Sequence, residues 1–138
     1  MSLILEVNNL SMKYKSGSRE LSVLQAINIS IEAGETVAIT GPSGSGKTTL
    51  MGLCAGLDNP TEGEIKLLGT IVNELSEDEK AVLRNKHVGF IFQNFQLLPS
   101  LTALENVMLP LELQGAKGVE AEAIKLLERV GLKDRMTH

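Results

Sequence analysis

The sequence predicts an α/β fold in which an antiparallel β subdomain precedes a phosphate-loop core, and three observations carry that prediction. Gly41-Pro42-Ser43-Gly44-Ser45-Gly46-Lys47-Thr48 fills the pattern G-x-x-x-x-G-K-[ST]. Thr36-Val37-Ala38-Ile39-Thr40 before it is a short apolar run suited to a buried parallel strand, and Thr48 to Leu57 after it carries Leu50, Met51, Leu53, Cys54 and Leu57 at helical spacing. Strand, glycine loop and helix are the context the motif requires. Finally, Leu3, Leu5 and Val7 alternate with their neighbours, and Ile27, Ile29 and Ile31 alternate with Asn28, Ser30 and Glu32, as half-buried antiparallel strands do.

The remaining elements follow in order. Lys15 to Arg19 is a turn-rich loop, and Ala33-Gly34 turns the chain toward the phosphate-loop strand. Asp58 to Gly63 is a loop leading to a strand at Ile65 to Leu68. Ser76-Glu77-Asp78-Glu79 reads as a capping box with acids in the first turn, and Arg84 and Lys86 suit the last turn of the same short helix. Val88-Gly89-Phe90-Ile91-Phe92 reads as a second buried strand, ending in Gln93. Thr102-x-x-Glu105 is another capping box, with Leu104, Val107, Met108 and Leu111 on one face and Pro110 expected to stop or kink the helix. A last amphipathic helix spans about Val119 to Val130, with Ile124, Leu127 and Val130 on one side and Gly131 as its stop.

Composition bounds the function classes. The chain has 138 residues, 43% hydrophobic and 22% charged, which fits one ordinary globular domain. A net charge of −4 without a Lys/Arg cluster argues against a nucleic-acid surface. The single cysteine, Cys54, excludes an internal disulfide and fits a small buried thiol. Met1 to Leu10 lacks the basic start of a signal peptide, and no apolar run approaches the ~18 residues of a membrane span. The expected setting is cytoplasmic, with any membrane role peripheral.

The octet carries the chemistry. Its glycines let successive backbone N–H groups point inward at an anion, and the helix beginning near Gly46 adds the positive end of its dipole. In this pattern Lys47 reaches the β- and γ-phosphates and the Thr48 hydroxyl ligates Mg²⁺. The competing reading is an ordinary glycine-rich loop. His87 reads as a solvated loop histidine, and Glu77, Asp78 and Glu79 as helix N-terminal charges, because neighbouring helical residues do not converge on one ion.

Met12-Lys13-Tyr14, Val23-Leu24 through Ala33-Gly34-Glu35, the octet, Gly56 through Ile65, and Gly89-Phe90-Ile91-Phe92-Gln93 together resemble the N-terminal part of an ABC-transporter ATP-binding subunit. Leu97-Leu98-Pro99 and Leu101 through Val107 are most similar to the lipoprotein-release and macrolide-export branch. The resemblance implies a partial, RecA-like P-loop NTPase core that binds ATP and Mg²⁺, with residues 1–138 as the N-terminal part of one ATP-binding domain. It implies ATP contacts from Gly41, Pro42, Ser43, Gly44, Ser45, Gly46, Lys47, Thr48 and Thr49, adenine stacking on Tyr14, and a Gln93 amide that touches Mg²⁺ or the attacking water. It thereby makes Lys47 and Gln93 catalytic, and Thr48 and Gln93 the residues on the metal. Read from the residues alone, Tyr14 is better explained as a strand-end tyrosine packed on the core, and Gln93 has the alternative of a polar strand terminus.

The resemblance also implies partners: transmembrane permease subunits docking near Asn94 to Leu109, and a second ATP-binding domain in a dimer, on the inner face of the cell membrane. Leu97, Leu98 and Leu101 read equally as core or as docking surface. A Leu-Ser-Gly-Gly-Gln-like signature, the metal-linked Asp with its neighbouring Glu, and a switch His do not occur in the 138 residues. The expectation is therefore an ATPase when intact, and a chain that binds without hydrolysing by itself. Rival readings are a GTPase, disfavoured because Asn85-Lys86 is followed by His87-Val88 and not by x-Asp, another P-loop ATPase, and a non-catalytic coupling module.

Overall fold

One long hairpin organises the first third of the chain. In the computed structural model, which describes residues 2–138, β1 (Leu3–Ser16) and β2 (Arg19–Glu32) pair antiparallel from Leu3↔Glu32 to Ser16↔Arg19. The reversal falls in the predicted loop, at Gly17 with φ +64°. β3 (Glu62–Leu67) pairs with the other edge of β1, and β4 (Thr70–Ile71) with β3, so the sheet order is β2-β1-β3-β4 and every pair is antiparallel.

The alternation that predicts β1 does not run straight through it. Val7 is buried, and the next buried positions are Leu10, Ser11 and Met12, so the alternation breaks between Val7 and Leu10. The ladder is irregular at that point, Asn9 takes φ +50°, and Ala26 opposite takes φ +47°. Such a bulge exposes polar backbone groups, which here find side chains. Asn28 Oδ1 accepts from the Asn9 N–H at 2.9 Å, Asn28 Nδ2 donates to the Ala26 carbonyl at 3.2 Å, and Ser11 Oγ accepts from the Ala26 N–H at 3.0 Å.

α1 (Lys47–Cys54) covers one face of this sheet. Its Leu50 and Leu53 join Val7, Leu10, Met12, Leu24, Ile65 and Val72 in a single buried cluster, against which Cys54 and Leu83 pack. The helix stops short of the expected Leu57. Gly56, at φ +76°, turns the chain out, its N–H donates to Leu53 at 3.0 Å, and the Leu57 N–H reaches back to Gly52 at 2.9 Å. Gly63 is a second position that only glycine fits. At φ +96°, an added Cβ would lie 2.4 Å from the Asn9 carbonyl oxygen of the neighbouring strand.

α2 (Glu77–His87) carries the predicted box. The Glu79 N–H donates to Ser76 Oγ at 3.2 Å and the Ser76 N–H to Glu79 Oε1 at 3.1 Å, and hydrogen bonding to the carboxyl from the Ser76 backbone, then from its side chain, holds Glu79 below its usual range. The helix docks through Lys80, which is 1% exposed. Its stem lies over Gly56, and its ammonium donates to Asn59 Oδ1 and, at 3.2 Å, to Glu77 Oε1.

Two expected strands are absent. Residues 35–42 and 88–98 form no ladder. Val37 and Ile39 are about half exposed, and Ile91 is fully exposed. A strand is a property of a pair, and among the described residues nothing pairs with either run. Phe90 and Phe92 stack on each other instead, ring centroids 5.3 Å apart.

The chain divides after Arg84 into two compact units. The second is helical, with α3 (Ala103–Leu113) and α4 (Val119–Arg129). The α3 box forms as predicted between Thr102 and Glu105. Pro110 does not stop α3, which continues to Leu113. The proline removes only the bond to the Asn106 carbonyl, and the single turn that follows it needs no N–H from position 110. The face of α4 also differs. Val119, Ala123 and Leu127 are buried whereas Val130 is exposed, because Val130 is already the C-cap and Gly131 follows at φ +78°. Among the described residues no helix is long and apolar enough to cross a membrane.

Candidate functional site

The octet forms the loop its spacing predicts. Gly44 and Gly46 take φ +78° and +95°, and Gly46 caps α1, whose first residue is Lys47. The glycine at 46 is enforced by the sheet, since an added Cβ would sit 3.0 Å from the Val23 carbonyl oxygen and from the Val23 and Leu24 side chains. Gly41 is less confined, since the atom 2.8 Å from where its Cβ would lie is the Ser45 hydroxyl oxygen, which can turn away. The loop therefore rests on β2, and its curvature is set by contacts that do not depend on a ligand.

Hydrogen bonding within the octet leaves its donors free. The Ser45 N–H donates to Pro42 at 3.2 Å and the Leu50 N–H to Gly46 at 2.9 Å. Among the described residues no acceptor takes the N–H groups of Gly44, Gly46, Lys47 or Thr48. Lys47 curls back over the same turn, its ammonium donating to the carbonyls of Gly41 and, at 2.8 Å, Pro42. Unpaired N–H groups, a helix N-terminus and an ammonium thus converge on one concavity, with no carboxylate among them, and such a site attracts an anion.

Thr48 is exposed at the first turn of α1 and Thr49 is half-buried beside it. A hydroxyl oxygen beside a phosphate-binding loop is chemically suited to Mg²⁺, and among the described residues no group of three or more His, Cys, Asp or Glu could hold a metal ion. Tyr14 lies near the tip of the hairpin, opposite Leu21, and is 41% exposed, so it is not a core tyrosine. Gln93 belongs to the second unit and is exposed in the irregular segment that follows α2. Leu97 and Leu98 are exposed there too, and Leu101 is half-buried.

Cys54 sits on the far end of α1, and burial pushes its thiol up to about 11, which keeps it protonated and unreactive near neutral pH. Two residues near the site were not legible as such. Lys80 reads as one charge in a polar helix, and Thr61 as one residue in a loop. Each acts through a partner far away in sequence, Asn59 and Lys13 respectively, and no spacing rule links them.

A family model described as ABC transporter matches residues 24–138. The chain is 44% identical over 141 residues to the lipoprotein-releasing system ATP-binding protein LolD of Psychrobacter arcticus, covering 100% of this chain and 62% of that one. It is 47% identical over 139 residues to the macrolide export ATP-binding/permease protein MacB of Rhodopirellula baltica, covering 98% of this chain and 20% of that one. The fold matches the ATP-binding cassette MJ0796, solved as a dimer in a post-hydrolysis state bound to ADP and Pi, with a TM-score of 0.88 and 38% identity over 96% of this chain and 60% of that one. The chain spans about three-fifths of the length of the curated ATP-binding proteins it matches.

Proposed function

The chain belongs to the ABC transporter family, and we propose that it is the nucleotide-gripping part of an ATP-binding subunit that powers a transporter of the lipoprotein-release or macrolide-export kind. One observation carries the reading: the unpaired N–H groups of Gly44, Gly46, Lys47 and Thr48, closed over by the Lys47 ammonium. A triphosphate entering that concavity replaces the Gly41 and Pro42 carbonyls as the partner of Lys47, and the backbone N–H groups take its oxygens. The Thr48 hydroxyl would hold Mg²⁺, which would neutralise phosphate charge, and family likeness alone adds Gln93 as a further ligand. The exposed ring of Tyr14 offers a flat surface for adenine, a contact worth about 1–3 kcal/mol.

Lys47 binds and orients the phosphates, and among the described residues none is assigned to orient and deprotonate a water. Among the described residues no acidic cluster accompanies the octet. The chain by itself therefore binds ATP without turning it over, and hydrolysis belongs to the intact dimer. The exposed Leu97 and Leu98 support permease docking near Asn94 to Leu109, and with it a position at the inner face of the membrane. The test is phosphate release by the purified chain over hours, with Lys47→Ala beside it. No sustained release is expected from either. Steady release by the wild type that vanishes in Lys47→Ala would show that these residues suffice for hydrolysis.

A further inference from the structure

After Pro60 the chain returns to β1 by a side chain and not by a strand. The β1–β3 ladder ends at Ser11↔Glu62, and the Thr61 N–H adds one more bond, donating to the Ser11 carbonyl at 2.9 Å. Beyond it the Thr61 hydroxyl takes the place of a ladder. It accepts the Lys13 N–H at 2.9 Å and lies 3.4 Å from the Lys13 carbonyl and 3.8 Å from Met12 Sδ, which share its one proton. On its other edge Lys13 is paired with Ser22 of β2. The backbone immediately before Tyr14 is thus held from both sides.

The other end of this tie is α1. Between Cys54 and Thr61 the chain has little freedom. Gly56 closes the helix, and its carbonyl accepts from Arg84 Nη1 at 2.8 Å. Asn59 is pinned by the buried Lys80 and its N–H donates to Asp58 Oδ1 at 2.8 Å, while Pro60 fixes its own φ. Lys47 stands at the start of the same helix. An unbroken path of short bonds therefore runs from the phosphate loop, along α1 and the 55–61 loop, through Thr61 to the strand that carries Tyr14.

We infer that Thr61 is a positioning residue for nucleotide recognition, which sets the span between the adenine platform at Tyr14 and the phosphate loop at Lys47. The inference rests on the reading of Tyr14 as that platform. A ligand with both a base and a triphosphate must satisfy both ends at once, whereas a bare triphosphate satisfies only one. Loss of the Thr61 hydroxyl leaves the Lys13 N–H to solvent and the strand end free to shift. The penalty falls on ATP and not on tripolyphosphate.

Tyr14 is the only tyrosine and the chain has no tryptophan, so tyrosine emission reports this ring alone. Calorimetric titration of the full chain with ATP and with tripolyphosphate, alongside ATP quenching of tyrosine emission, separates the outcomes for Thr61→Val, Thr61→Ser and Tyr14→Ala. Thr61→Val is expected to weaken ATP by roughly two- to tenfold, the share of one neutral hydrogen bond, with tripolyphosphate unchanged and quenching reduced. Thr61→Ser, which keeps the hydroxyl, restores both. Equal weakening of ATP and tripolyphosphate in Thr61→Val, or wild-type ATP affinity, overturns the inference. If Tyr14→Ala binds ATP as the wild type does, the platform reading itself fails; if Tyr14→Ala weakens ATP while Thr61→Val does not, only the role of Thr61 fails.

Discussion

Two short segments, the half-charged Glu62–Leu67 and the apolar run 88–92, have opposite fates. The first is β3, its Ile65 buried in the cluster beneath α1 and its backbone paired with β1. The second forms no ladder, and its Ile91 is fully exposed. Composition does not account for the difference, since the exposed run is the more apolar. What separates them is a neighbour: β1 offers β3 a complementary edge, and Asn73 completes the pairing by accepting the Ile65 N–H at 3.0 Å while donating to the Gly63 carbonyl at 3.3 Å. Hydrophobic sequence makes a strand possible, and a partner edge makes it one.

The sharpest way to break this comparison is to truncate the same residue type in each run. Ile65→Ala removes a side chain that is 1% exposed and is expected to cost about 2–5 kcal/mol, the range for a cavity in a packed core. Ile91→Ala is expected to stay within about 0.5 kcal/mol, as an exposed position does. Urea unfolding of both variants measures the difference, and equal losses would mean that the second run is covered in solution.

Gly63→Ala tests the pairing itself. The new Cβ meets the Asn9 carbonyl at a φ that L side chains rarely adopt, so about 1–3 kcal/mol of strain is expected, with a larger loss where the strands must part. Gly89, whose added Cβ would meet nothing, is the control, and its alanine variant is expected to unfold as the wild type does. A neutral Gly63→Ala would show that β1 and β3 are less closely joined than described.

The smallest expected effect is alkaline. Burial raises the Cys54 thiol from 9.0 to about 11, so the unfolded chain loses this proton first. Stability from this group is complete below pH 9 and falls as pH rises toward 11, by about 1–2 kcal/mol after allowance for partial exposure. Unfolding curves of wild type and Cys54→Ala between those limits isolate the effect from other alkaline titrations, and parallel curves would remove it.

How much was legible follows the same divide between local and paired. The octet, both capping boxes and Gly131 were readable because each is written in a few consecutive residues. The phase change at Asn9 was not, because it depends on Asn28, 19 residues away. Nor was the tie from Thr61 to Lys13, 48 residues apart, or the pinning of Asn59 by Lys80. The expected strands at 36–40 and 88–92 failed for the converse reason, since their residues suit a sheet whose neighbouring strand is not among those described. In the site, the turn of the octet and the helix that starts at Lys47 were legible, while the exposure of Tyr14 and Gln93 depended on what surrounds them.

The central claim is that the curled loop from Gly41 to Thr48 is an anion cradle closed by Lys47. Calorimetric titration of the chain with MgATP, in wild type and Lys47→Ala, tests it most directly. The account predicts saturable binding in the wild type that weakens at least about tenfold in Lys47→Ala, as expected when a charge-assisted phosphate contact is lost, with both proteins unfolding at the same urea concentration. Equal affinity in the two proteins, or no saturable binding in a folded wild type, would contradict it.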